Sequence, residues 1–227
     1  MENDYSPKNY GSDASANKIL IKPLIASDRT EHFPFEQLMR VKFQILTLAL
    51  SAKTKKGTYL GDTQFFDLFV NEEPSWGRWG IGPMAIIPTT STLDAGQGKW
   101  QVGPALGVSI LKFTGWQIGF LAQNPISVAE NSHKPKQNYL LFQPFVIYLF
   151  LKDTYVISNS EWTIDWITRT QQIPVNIGID HTASLVGNLK VDSLLQFQYM
   201  AHQNAVKSVG YVNQCTIQLS LNILLGD

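Results

Sequence analysis

Apolar residues recur at every second position along much of the chain. Trp100, Val102, Pro104, Leu106, Val108 and Ile110 alternate with Gln101, Gly103, Ala105, Gly107 and Ser109. A period of two is the pattern of a β-strand with one oily face and one small or polar face. It returns at Trp116, Ile118 and Phe120 against Gln117 and Gly119. Leu189, Val191, Leu195, Phe197 and Tyr199 likewise alternate with Lys190, Asp192, Gln196 and Gln198. At the C-terminal end Ile217, Leu219, Leu221 and Ile223 alternate with Thr216, Gln218, Ser220 and Asn222. Further strands are predicted over 17–27, 38–50, 62–70, 79–88, 139–150, 154–166 and 173–181. No helical stripe of comparable length competes, so the pattern predicts an all-β chain.

Strand length and the makeup of the polar face separate a soluble sandwich from a membrane barrel. Globular strands average about five or six residues, whereas a tilted membrane strand needs about 9 to 11. Most of the predicted strands reach the longer figure. Their polar faces favour Gln, Gly, Ser, Thr and Asn, which suit an enclosed hydrated lumen better than a charged surface in bulk water. Trp79, Trp100, Trp116, Tyr139, Tyr155 and Trp166 lie near strand ends, where interfacial girdles are expected. A transmembrane helix is excluded, because the best apolar run, 139–151, is too short and contains Gln143 and Pro144.

The connections alternate in length. Residues 112–114 and 152–153 read as tight turns, and 51–61, 89–99, 129–138 and 202–213 as long polar loops; 167–172 is intermediate. Outer-membrane barrels have short periplasmic turns and longer external loops. The readable strands number about eleven, whereas bacterial single-chain barrels normally have an even number. Tracing the alternation backward from a periplasmic C-terminus puts the start of the 17–27 strand outside, so one earlier strand is needed. The expected fold is therefore an antiparallel transmembrane β-barrel of about twelve strands. Its first strand is expected to be shortened or missing, with residues 5–10 as a remnant. Residues 1–16 are expected to be a polar N-terminal segment and 17–227 the barrel domain.

Composition sharpens this picture. Lys plus Arg and Asp plus Glu each total 18 among 227 residues, and only 16% of the chain is charged. No basic excess exists to hold a nucleic-acid backbone. The single cysteine, Cys215, excludes an internal disulfide framework and any multi-cysteine metal site. The mean hydropathy is near zero although 44% of residues are hydrophobic, because alternation averages an oily face with a polar one. Residues 1–18 contain no apolar core of the kind a signal peptide needs. The chain is thus expected either to stay inside the cell or to lack its targeting segment.

Several motifs carry a family resemblance. Trp79-Gly80-Ile81-Gly82-Pro83, then Pro88-Thr89-Thr90, then Gly98-Lys99-Trp100-Gln101-Val102-Gly103-Pro104-Ala105 follow one another in order. Gly115-Trp116-Gln117-Ile118-Gly119, Gln143-Pro144-Phe145 and Ile173-Pro174-Val175-Asn176-Ile177-Gly178 continue the series, and Gly61-Asp62 and the Arg40 strand also fit. In this the chain resembles a group of bacterial outer-membrane transporters often mislabelled neuromedin U. The resemblance covers most of the chain from about Asn17 onward. It implies a β-barrel in the outer membrane of a Gram-negative cell, with outer-membrane lipids and the barrel-assembly machinery as partners, and no known catalytic residues or settled substrate. The chain departs from the family pattern in three ways: no signal peptide, little of a first strand, and an end at Leu224-Leu225-Gly226-Asp227 without a terminal aromatic.

Candidate chemistry lies on the polar faces. Arg40, Lys42, Glu161, Asp165, Asp180, Lys190 and Asp192 share parity with lumen-facing positions, as do Gln101 and Gln117. These nine are the expected lumen-lining residues. They would select a small polar solute or neutralise one another in a narrow barrel. The facing of the strand from Asp62 is left open, because Asp67 shares parity with Phe65 and Phe69 while Gln64 shares it with Phe66 and Leu68. No catalytic site is expected: His181 and Ser184 fall on opposite strand faces, and His32, His133 and His202 sit in turns or loops. No metal or cofactor is expected either. The four histidines are scattered, and Gly96-Gln97-Gly98-Lys99 lies between strands rather than before a helix. The expected function is an outer-membrane channel or transporter for a small solute. The alternative is a soluble or periplasmic barrel that binds a lipid or hydrophobic ligand. The two differ in facing, because the Trp100/Val102/Leu106 face points outward in the first and inward in the second.

Overall fold

In a computed structural model, the described residues are all except 10–14, 31–33, 49–56, 73, 93–94, 130–134, 185–188, 205–212 and 226–227. Regular structure among them is strand throughout. In chain order the strands are β1 (Glu2–Asn9), β2 (Ala16–Ile21), β3 (Leu24–Ser27), β4 (Glu36–Leu48), β5 (Gly57–Leu60), β6 (Thr63–Asn71), β7 (Gly77–Ile87) and β8 (Trp100–Ile110). They continue as β9 (Trp116–Gln123), β10 (Ile126–Ala129), β11 (Tyr139–Leu151), β12 (Thr154–Ser158), β13 (Trp162–Asp165), β14 (Gln171–Ser184), β15 (Leu189–Gln203) and β16 (Asn213–Leu225). Every pairing is antiparallel. These sixteen strands form twelve staves of one closed barrel, because β2/β3, β5/β6, β9/β10 and β12/β13 each make one interrupted stave.

The first stave is present. β1 pairs with β2 on one side (Asp4 opposite Lys18) and with β16 on the other (Asp4 opposite Gln218), and so closes the barrel. It is eight residues long against thirteen for β16. Within the segment 1–16, where a remnant of the first strand is expected, Glu2–Asn9 forms this stave.

The interruptions have a local chemical cause. Proline cannot donate to a ladder, and at three of the four breaks a proline lies in the break or on a neighbouring strand opposite it. Pro23 separates β2 from β3, and Pro125 separates β9 from β10. Between β12 and β13 the prolines come from the neighbours. The registers Val146 to Ser158 and Phe142 to Trp162 leave Pro144 opposite Ser160. The registers Ile157 to Gly178 and Thr163 to Gln172 leave Pro174 opposite Glu161. Side chains replace the missing ladder there. The Trp162 indole donates to the Pro174 carbonyl at 3.0 Å, and Gln143 Nε2 donates to the Asn159 carbonyl at 3.0 Å.

Alternation along the strands becomes inside against outside across the wall. On β8, Trp100 and Val102 are 49% and 45% exposed, whereas Gln101 is 0% and Ala105 1% exposed. Ile177, Ile179, Leu195, Phe197, Leu219 and Leu221 are likewise exposed on β14 to β16. The oily face therefore points outward. On β6 the inward set is Gln64, Phe66 and Leu68, which resolves the facing that the sequence leaves open. Tyr139 turns inward and is buried, so it is no part of an outer aromatic girdle. Tyr155 lies opposite the inward Asp180 and joins the same side. Trp79, Trp100, Trp116 and Trp166 are exposed, and Trp116 packs on Tyr148 with ring centroids 4.5 Å apart.

The interior is not uniformly polar. Phe66, Leu68, Met84, Ile86, Ala105, Tyr139 and Leu141 form a buried apolar cluster between the β6–β8 wall and β11. Leu38, Val70 and Leu121 pack against it. The buried cluster thus makes one side of the barrel interior apolar.

Candidate functional site in the barrel interior

A cluster of charged residues forms on β1, β4 and the stretch from β2 to Lys22. Alternation turns Glu2 and Asp4 inward on β1, and the antiparallel register places them beside Leu20 and Lys18. Lys18 pairs with Asp4 at 2.9 Å and Lys22 with Glu2 at 2.6 Å. Arg40 and Lys42 follow on the next stave, where the Arg40 guanidinium lies over the Phe66 ring, 4.5 Å from its centroid. Lys42 Nζ lies 3.8 Å from Glu161 Oε2. Glu161 sits in the break between β12 and β13, six staves around from β4 in the closed order. The Lys42–Glu161 pair therefore crosses the barrel along a diameter.

Next to Glu161, Asn159 organises an amide cluster. Its Oδ1 accepts from Asn176 Nδ2 at 3.1 Å and Gln196 Nε2 at 2.9 Å, and its backbone N–H donates to Asn176 Oδ1 at 2.8 Å. Gln196 is almost fully buried, so its amide depends on this partner. A buried donor left without an acceptor costs about 1–3 kcal/mol. Asn159→Ala is therefore expected to lower unfolding free energy by about 2 kcal/mol. Denaturant titration of the refolded protein measures this, and an unchanged midpoint would show that water replaces the amide.

The end of the barrel that carries the longer connections is covered on its apolar side by the β7–β8 connection. The Gln97 backbone N–H donates to Asp62 Oδ2 at 2.6 Å, and the Gln97 side chain meets the Tyr139 hydroxyl at 3.1 Å and Gln101 Nε2. Thr90 Oγ1 donates to the Leu60 carbonyl at 3.0 Å, which ties the start of the same connection to β5. Below it Gln64 Nε2 donates to Gln123 Oε1 at 3.1 Å. Lys99, at the end of the connection, is 1% exposed. The expected loops 51–61, 129–138 and 202–213 fall partly outside the described residues, and His32 and His133 wholly so.

The nine sequence candidates separate by geometry. Arg40, Lys42 and Glu161 come together in the crossing cluster. Gln101 is fully buried at one end of β8, and Gln117 donates to Ser109 Oγ at 3.0 Å at the other end of that strand. Asp165 is a rim residue whose Oδ1 accepts the Ile167 and Thr168 N–H groups, each at 2.8 Å, so it shapes a turn. Asp192 Oδ1 accepts from Thr182 Oγ1 at 2.8 Å, and Asp180 has a buried Oδ1 without a hydrogen-bond partner. Lys190 is exposed near the short-turn end. Sequence reasoning missed Glu2, Asp4, Lys18 and Lys22. The available signal was the alternation of Glu2, Asp4 and Ser6 with Asn3, Tyr5 and Pro7 on a strand taken for a remnant.

A cavity of about 520 Å3 opens at the short-turn end. Asp28, Glu36, Glu72 and Arg78 stand near its mouth. Leu38, Phe66, Leu68, Leu121, Phe145 and Ile147 contribute to its walls, and Arg40, Gln143 and Asn159 to its deeper part. That depth order follows the strands: Glu36, Leu38 and Arg40 step inward along β4, as do Ile147, Phe145 and Gln143 along β11.

No family model and no curated protein matches the chain. Among solved structures, the NanC porin in a rhombohedral crystal form matches over 99% of each chain with a TM-score of 0.58 and 9% sequence identity. The likeness is one of fold: a porin-like barrel.

Proposed function

We propose that the protein is an outer-membrane channel or transporter for a small solute in a Gram-negative bacterium, related to the transporter group its motifs resemble. The observation that carries this reading is the outward apolar surface, with Trp100, Val102, Leu106, Ile177, Phe197 and Leu219 exposed around the barrel. Exposed apolar patches beyond a few hundred Å2 are rare on soluble monomers, whereas a lipid-facing band is required of a membrane barrel. The outward facing of Trp100, Val102 and Leu106 counts against a soluble barrel that holds a lipid inside. The porin-like fold agrees with a channel. On this reading the lipids contact the outer face, the assembly machinery inserts the barrel, and Arg40, Lys42 and Glu161 tune passage at the crossing.

The first test is refolding in detergent. Unboiled protein should migrate differently from boiled protein on a gel. A stable monomer in the absence of detergent would overturn the reading. Ion conductance across a planar bilayer tests the channel itself, and a folded, inserted protein that carries neither ions nor solutes would overturn that part.

A further inference from the structure

We infer that the cavity at the short-turn end is a binding site for a compact organic anion with an apolar body, its carboxylate set against Arg40. This rests on the channel reading, in which the cavity is the vestibule through which the solute passes. The charges of the crossing cluster carry the inference. Lys18, Lys22 and Lys42 each have a carboxylate partner, in Asp4, Glu2 and Glu161. Among the described residues no carboxylate forms an ion pair with Arg40, on which Glu161 and Glu2 act only from a distance, and its guanidinium lies on the face of Phe66. The cluster therefore holds one cation more than its carboxylates neutralise, and that cation lines the deeper part of the cavity. An arginine fork bound on one face by an aromatic ring keeps its N–H edge free for bidentate recognition of a carboxylate.

The remaining lining specifies the rest of the ligand. Leu38, Leu68, Leu121, Phe145 and Ile147 would take an apolar body, while Gln143 and Asn159 add polar groups near Arg40. At about 520 Å3 the space matches small-molecule sites in general, which are mostly apolar with a few convergent polar groups. The mouth does not exclude an anion. Glu72 is paired with Arg78 at 2.9 Å and Glu36 with Arg29 at 3.3 Å, which offsets two of the acidic groups there. A cationic solute would meet Arg40 unpaired at the bottom, and a neutral one would leave the guanidinium desolvated.

The test uses adamantane-1-carboxylate as probe, with adamantan-1-ol and 1-adamantylamine as its neutral and cationic matches, titrated calorimetrically into the full-length protein in lipid nanodiscs. The carboxylate should bind at least about tenfold more tightly than either match, the discrimination expected of a buried charge-assisted pair. Arg40→Gln should abolish that preference, with Arg40→Lys retaining part of it. Leu121→Trp, which fills the cavity and leaves Arg40 intact, should weaken the carboxylate and the alcohol alike. Equal binding of all three probes, no binding of the carboxylate, or an unchanged preference in a folded Arg40→Gln protein would overturn the inference. So would displacement of the carboxylate by anionic lipid in the disc, which would make the site a lipid site. Because binding is read without transport, a protein that conducts ions but ignores the carboxylate keeps the channel reading and loses this one. A protein that binds it without conducting does the reverse.

Discussion

Gly82→Ala and Gly103→Ala are each expected to prevent formation of the folded barrel, or to lower its unfolding free energy by at least about 3 kcal/mol. A Cβ at Gly82 would overlap the Asp67 carbonyl oxygen, and one at Gly103 the Asn124 carbonyl oxygen. Both obstacles are backbone, so neither can rotate away as a side chain could. Each lies where the wall is already irregular. Gly82 precedes Pro83, in the stretch between the Phe66–Met84 and Phe69–Ile81 pairs, and Gly103 faces the break between β9 and β10. Gly107→Ala is the internal control. Its nearest neighbour is Leu68 Cδ1 at 3.2 Å, the end of a flexible side chain, and the expected cost is below about 1 kcal/mol. The fraction of heat-modifiable protein after refolding, followed by denaturant titration, ranks the three. Equal stability of Gly82→Ala and Gly107→Ala would mean that the wall accommodates a methyl group at its closest backbone approach.

The second large effect is expected on ion selectivity. Removing the Glu161 charge with Glu161→Gln leaves Lys42 as well as Arg40 without a carboxylate at the crossing, and permeation should shift toward anions by several-fold in permeability ratio. Lys42→Met should shift it the other way. The gross attraction of two charges about 4 Å apart is about 4 kcal/mol at an effective dielectric constant near 20. Most of that is offset by desolvation and by water reaching Glu161, whose side chain is 35% exposed, so the stability cost should be only about 1 kcal/mol. Selectivity thus responds more than stability, and the two are measured separately by reversal potentials in a salt gradient and by denaturant titration. Unchanged reversal potentials in both variants would show that the pair braces the wall without facing the ion path.

Much of the fold is legible because a one-sided wall writes itself as alternation. β8 is the clearest case: its predicted and observed limits coincide at 100 and 110, and each successive residue changes side. The twelve-stave count follows from about eleven readable strands plus the one that parity requires before them. What escapes the pattern is whatever breaks the contrast between faces. On β6 both faces are oily, Phe65 and Phe69 outward and Phe66 and Leu68 inward, because the inner side joins an apolar cluster instead of a hydrated lumen. Tyr139 reads as an interfacial aromatic by position, yet its hydroxyl has a partner inside in Gln97. The candidate site is legible only in part for a similar reason. Arg40, Lys42 and Glu161 announce themselves as charges at inward positions, but which charge faces which depends on staves six apart around the barrel. Local periodicity contains no such information. The loop that ends at Lys99 was legible only as polar and glycine-containing, and its burial comes from tertiary partners at Asp62 and Tyr139.

The seam between β1 and β16 has a consequence for the order of events as the chain folds. The Met1 amine donates to the Leu221 carbonyl across 220 residues, whereas β14–β15 and β15–β16 pair between neighbours in sequence. Bringing such distant ends together carries a chain entropy that grows with loop length, and it is recovered only when the last ladder forms. Hairpins can therefore assemble early, while the cylinder cannot close before the C-terminal strand is available. Until then two strand edges remain unpaired, and an unpaired edge is a template for any other extended chain. Time spent open, more than the stability of the finished barrel, should govern how much of the protein is lost to aggregation during refolding.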